Sequence, residues 1–80
     1  MALRLIGVDP DSPNNGSPTV WVDEADGSIV LQGWRISDAA TLAGIRATGS
    51  IPDYETVLRL PARMAPLLRE ACGGSGTGGV

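Results

Sequence analysis

The chain of 80 residues carries six arginines, no lysine and no histidine against nine carboxylates, a net charge of −3, with one cysteine and no phenylalanine. A domain this short buries only about 60% of the surface its unfolded chain exposes, and the acidic balance disfavours phosphate backbones and anionic lipid as partners. A lone Cys72 excludes an internal disulfide, and without imidazoles or cysteine clusters neither the common zinc sites nor histidine-based catalytic sets can be assembled, so no enzymatic activity and no cofactor is expected.

Met1 to Val8 carries an apolar stripe at Leu3, Leu5 and Ile6 and offers a further strand over 3–8. It is too short and too weakly charged for a secretory leader, and no apolar run approaches the roughly 18 to 20 residues that span a bilayer. A cytoplasmic protein without membrane partners is therefore expected. Asp9 to Pro18 packs three prolines, two asparagines, two aspartates and a glycine into ten residues, a composition that turns and terminates rather than propagates regular structure. Asp9, Asp11, Asn14, Asn15 and Gly16 superficially resemble a calcium loop. The spacing fails, because aligning Asp9 and Asp11 with the first two ligand positions puts Pro13 at the third and leaves no closing glutamate. Residues 1–18 thus read as an N-terminal segment and surface loop without a metal site, ahead of one folded domain over 19–72.

Thr19 to Asp23 and Ser28 to Gln32 are β-branched or aromatic runs separated by Glu24-Ala25-Asp26-Gly27. Asp-Gly signals a hairpin, since glycine accepts the positive φ that closes the turn, and a hairpin is expected over about 19–34. Side chains alternate across the pleat, so Val20 and Val22 share one face while Trp21 takes the other. Ile29 and Leu31 likewise oppose Val30, Gln32 and Trp34. Both faces carry large apolar groups, and both need cover.

Ser37 and Asp38 precede Ala39, Leu42 and Ile45 at helical spacing and Gly49 stops the pattern, which predicts a short helix over about 38–48. After a turn at Pro52-Asp53, Tyr54, Thr56, Leu58 and Leu60 alternate with Glu55, Val57 and Arg59, the pattern of a third strand over about 54–60. Met64, Leu67, Leu68 and Ala71 then fall at i, i+3, i+4 and i+7 of an amphipathic helix over about 62–72. Pro66 would cost that helix about 3 kcal/mol in its interior, so a start near Arg63 to Ala65 is favoured. The sum is an α+β domain, helices on a small antiparallel sheet. From Gly73 to Val80, five glycines supply too little side chain to offset ordering entropy, and a disordered tail is expected.

Candidates for chemistry are few. Asp23 with Glu24, or Asp53 with Glu55, would need a pocket that separates their pKa values, and Ser12, Ser17, Ser28 and Cys72 have no base to activate them. The expressive residues are Trp21 and Trp34, each able to bury on the order of 200 Å² and equally suited to core and interface. With the apolar positions of the last strand and helix they give the interface candidates Trp21, Trp34, Tyr54, Leu58, Met64, Leu67 and Leu68. The surplus apolar face of the hairpin points to a homodimer or to a second, regulatory protein as partner. Two other readings stay open: a nucleic-acid binder in which Arg35, Arg46, Arg59, Arg63 and Arg69 cluster on one face, and a small-molecule sensor with Trp21, Trp34 and Tyr54 around a pocket between hairpin and helix.

The run Val20-Trp21-Val22-Asp23, the stretch Gly27 to Arg35, the Ser37-Asp38 turn and Tyr54 to Pro61 followed by an apolar helix resemble small actinobacterial proteins, the BldB-like developmental regulators and related short domains of unknown function. The similarity spans about two thirds of the chain. The resemblance implies a small dimeric protein without enzymatic activity, an accessory factor in transcriptional or developmental regulation that acts through protein contacts. It carries over no catalytic residue.

Overall fold

A computed structural model describes residues 2–11 and 18–73. The expected asparagine turns of 12–17 and, of the glycine tail expected over 73–80, all but Gly73 lie outside the described residues, and Gly73 itself ends the last helix. Five strands, two helices and one 3₁₀ turn run in the order β1 (Leu3–Val8), β2 (Thr19–Asp23), β3 (Ser28–Gln32), β4 (Trp34–Arg35), α1 (Ala39–Arg46), β5 (Leu58–Arg59), the 3₁₀ turn (Ala62–Met64) and α2 (Ala65–Gly73). The class is α+β. A three-stranded antiparallel sheet of order β1-β2-β3 carries the hairpin at one side, and β4 and β5 form a separate two-stranded ribbon.

The hairpin follows its turn chemistry. Gly27 takes a φ of +79°, the left-handed region that a residue without Cβ enters freely. The loop is the four residues between the paired Asp23 and Ser28, closed by the Gly27 N–H donating to the Asp23 carbonyl at 2.8 Å. Asp23 Oδ1 accepts from the Ala25 N–H at 3.0 Å. Asp26 Oδ1 accepts both the Ser28 N–H and the Ser28 hydroxyl, at 2.9 and 2.7 Å. Those bonds favour the charged carboxylate and hold the Asp26 pKa below its ordinary value.

The segment over 3–8 does join the sheet, as the partner of β2, and this corrects the expectation that 54–60 is the third strand. Only Leu58 and Arg59 pair there, opposite Arg35 and Trp34. Tyr54 and Glu55 are spent in the Pro52 turn, where the Glu55 N–H donates to the Pro52 carbonyl at 2.9 Å. The hairpin itself ends at Gln32, and Trp34 begins the ribbon on the far side of Gly33. A Cβ on Gly33 would fall 2.7 Å from the Arg59 carbonyl oxygen and 2.9 Å from Leu60 Cδ2, so the close approach of β5 requires glycine at that step.

Helix α1 is capped as its sequence directs, with Asp38 Oδ2 accepting from the Thr41 N–H at 2.9 Å. Hydrogen bonding from the Thr41 side chain first, and from its backbone N–H second, holds the Asp38 pKa below its ordinary value. The stop is different from expectation. The helix ends at Arg46 with Ala47 still in right-handed helical geometry, and the Thr48 hydroxyl donates to the Ile45 carbonyl at 2.7 Å, so Gly49 is not the terminator. None of its residues is buried.

Helix α2 begins where Pro66 costs least. The 3₁₀ turn over Ala62–Met64 leads into an α-helix from Ala65, placing Pro66 in the first turn, where no intrahelical bond is lost. A β-bulge decides what this helix covers. The register of β1 against β2 slips between Leu5↔Trp21 and Gly7↔Val20, so Ile6 is the extra residue and Leu5 and Gly7 point to opposite faces. Gly7 therefore shares a face with Val20, and a Cβ there would lie 2.6 Å from Leu67 Cδ2. Leu67 of α2 seats on that gap. Pro18, Val20, Val22 and Met64 are the buried apolar side chains of the described residues.

The other fastener is ionic. Asp9, at the end of β1, has a side chain with no exposed surface, and its N–H donates to the Pro18 carbonyl at 2.9 Å. Arg63 of the 3₁₀ turn grips it with two charge-assisted bonds, Nε to Oδ1 at 2.6 Å and Nη2 to Oδ2 at 2.7 Å. Asp11 stands 3.7 Å from the same Nε and donates its N–H to Asp9 Oδ1 at 3.0 Å. The Asp9 hydrogen bonds raise the Arg63 pKa above its ordinary value. The carboxylates that suggested a calcium loop are thus spent on an arginine.

Removing one partner of a buried pair leaves the other to bear its desolvation. Arg63 keeps 41% of its side-chain surface exposed and Asp9 none. Arg63→Met is therefore expected to lower the urea midpoint more than Asp9→Leu, and the two changes to be far from additive in a double-mutant cycle. Equal, additive losses would contradict the pairing. A pH expectation follows from Asp26 and Asp38, whose folded pKa values are lowered. Each contributes stability above the ordinary carboxylate pKa and loses it as pH falls through the depressed folded value. The stability gap between wild type and Asp38→Asn, measured by urea denaturation, is expected at pH 7 and should close near pH 2.

Candidate functional site

Alternation and register sort the apolar side chains of the three-stranded sheet into two sets. Residues directly opposite across an antiparallel pair share a face. Val20 with Leu31, Val22 with Ile29, and Gly7 with Val20 lie on the face under α2. Leu5 with Trp21, Trp21 with Val30, and Val8 with Thr19 lie on the other, together with Leu3 opposite Asp23. On that second face Leu3, Leu5, Val8 and Val30 are all exposed, Leu5 to 57%, around a half-buried Trp21. Among the described residues no helix covers it, because α2 packs on β1 and β2 from the opposite side.

The interface candidates are divided by this arrangement. Trp21 sits in the bare face, while Trp34, 46% exposed, and half-buried Leu58 stand on the β4–β5 ribbon. Tyr54 projects into solvent from the Pro52 turn, 86% exposed. Met64 is wholly enclosed and Leu67 lies over Gly7, so these two join α2 to its own sheet and are not offered to a partner. Leu68 is half-buried on α2. The residues that complete the bare face, Leu3, Leu5, Val8 and Val30, were not among the candidates. Their signal was the alternation of Leu3 and Leu5, whose pairing partner the sequence left open.

Of the arginines, Arg63 is committed to Asp9, Arg4 pairs with Glu24 at 2.8 Å, and the positive charge of Arg59 is among the smaller causes that lower the Asp38 pKa. Arg35 pairs across the ribbon with Leu58 and Arg59 with Trp34, so the two arginines occupy opposite faces of it. Arg35 and Arg59, two of the five arginines of the nucleic-acid reading, therefore do not share one surface.

Where the bare face meets the ribbon there is an open cleft of about 390 Å³. Trp21, Leu31, Val57 and Leu58 give it apolar walls, Gln32 and Thr56 supply neutral hydrogen-bonding groups, and Arg35 is its charged residue. Gly33 lines it at the crossing between the two sheets. Trp34 and Tyr54 do not line it, which reduces the three aromatic residues expected around a pocket to Trp21. Among the described residues no group of three or more potential metal ligands comes together, Cys72 is exposed and unpaired, and no helix is long and apolar enough to cross a membrane.

Comparison with family models, with curated proteins and with solved structures finds no match for the chain. Function is therefore argued from the surface itself.

The cleft and the sheet crossing both depend on Gly33. Gly33→Ala must displace backbone as well as the Leu58 and Leu60 side chains, and an overpacking penalty of about 1–3 kcal/mol is expected in urea denaturation. A change of less than a few tenths of a kcal/mol would show that β5 does not rest on this residue.

Proposed function

We propose that this chain is a non-enzymatic interaction module whose bare sheet face docks on the same face of a second copy. One observation supports the reading above the others: Leu3, Leu5, Val8, Trp21 and Val30 share a face that no described element covers. Contiguous exposed apolar surface rimmed by polar groups marks interaction sites in soluble domains. Here the rim is Asp23, Ser28 and Gln32, and the centre carries no charge.

A second copy fits that surface better than a charged partner does. An isologous contact needs a patch complementary to itself, and an uncharged apolar centre meets that need without setting like charges against each other. The core gives a further reason. With Pro18, Val20, Val22 and Met64 as the buried apolar side chains of the described residues, the core is small, and burying a second apolar layer adds about 25 cal/mol for each Å² removed from water. A role of the pair as accessory factor in transcriptional or developmental regulation rests on the resemblance to BldB-like proteins.

Sedimentation equilibrium on the intact chain tests the docking directly. Wild type is expected to approach twice its 8.2 kDa mass at micromolar concentration, and Leu5→Glu to remain at the single-chain mass. Because Leu5 is exposed, that substitution should change the stability of the single chain by no more than about 0.5 kcal/mol. A wild type that stays monomeric, or a Leu5→Glu variant that still pairs, would overturn the reading.

A further inference from the structure

We propose that the cleft between the sheet and the ribbon is a binding site for a small organic carboxylate with a flat apolar body. Its volume of about 390 Å³ falls inside the range of about 300–1,000 Å³ typical of small-ligand sites. The walls and the charge stand in the arrangement such a ligand needs. Trp21 and Leu31, from opposite faces of the sheet, line the cleft with Val57 and Leu58, so the body of the ligand rests against apolar residues that gain from losing water. Arg35 supplies a planar fork of donors matched to the two oxygens of a carboxylate.

Arg35 is the informative residue. Arg4 and Arg63 are each held by a carboxylate of this chain, whereas Arg35, Arg46 and Arg69 have no ion pair among the described residues, and of these three Arg35 is the one that lines the cleft. In a chain with three more negative than positive groups, a cation left unpaired beside an apolar cleft is a local exception to the overall sign. Gln32 and Thr56 beside it add uncharged hydrogen-bonding capacity, and among the described residues no carboxylate lines the cleft to repel an anion. Arg35, Thr56 and Val57 lie outside the bare sheet face, and Trp21 is the residue that the cleft shares with it.

The test is a titration of the intact ¹⁵N-labelled chain with phenylacetate, and with phenylacetamide as a neutral molecule of the same shape, followed by amide NMR. Phenylacetate is expected to shift the Trp21 indole N–H and the Gly33 and Val57 amides saturably, with a Kd of about 1 mM or tighter. The amide should bind about tenfold more weakly, the loss of one charge-assisted bidentate contact. Arg35→Gln should bring phenylacetate down to the level of the amide. No saturable shift at these positions, or equal affinity of acid and amide for the wild type, would overturn the proposal. Undiminished phenylacetate binding by Arg35→Gln would do the same.

Discussion

A carboxylate with no exposed surface, Asp9, and the arginine 54 residues away that holds it determine how this small chain closes. Asp9 ends the edge strand β1 and Arg63 lies just before α2, so the bidentate contact brings the last helix back to the first strand. The β-bulge at Ile6 supplies the matching steric half of the arrangement, turning Gly7 beneath Leu67. Charge and shape together assign α2 to the face of Val20 and Val22. Buried pairs of this kind often add little net stability but discriminate strongly between arrangements, and here the discrimination is between the two faces of one sheet.

The consequence is an uncovered opposite face. A helix of nine residues reaches about 13 Å at 1.5 Å per residue, enough for one side of three short strands. Helix α1 buries none of its residues and leaves that side open, and the β4–β5 ribbon turns away at Gly33 to form the cleft. Apolar surface around Trp21 is thus left in water by geometry, although its composition suits a core. This asymmetry carries the docking proposal, and the border where the face meets the ribbon, with Arg35 beside Trp21, carries the ligand proposal.

Much of the local structure was legible from residue types. Asp26-Gly27, the Asp38 cap and the position of Pro66 each act over a few residues, and each appears where short-range chemistry places it. The split of the hairpin into Val20/Val22 and Trp21 faces was legible too, because alternation in a strand is local. The third strand was not. Alternation over 54–60 matches a strand, but it cannot show that the Pro52 turn consumes Tyr54 and Glu55 or that only Leu58 and Arg59 find a partner. The pairing of β1 with β2 and the Asp9–Arg63 contact are long-range choices, invisible to period and propensity. Met64, which looks like any apolar position of an amphipathic helix, is enclosed because of those choices. The bare face was half legible for the same reason: Trp21 and Val30 could be placed on it, while Leu3, Leu5 and Val8 needed the register.

The central claim is that one face of the sheet is open in the single chain and closes against its own copy. Solvent paramagnetic relaxation of the side-chain methyls, measured with a soluble gadolinium chelate across a dilution series, reads this face by face. The account predicts strong relaxation of Leu3, Leu5, Val8 and Val30 methyls at low concentration, falling as concentration rises, with Val20 protected throughout. Methyls of the Trp21 face that are protected at every dilution, or exposed at every concentration, would contradict it.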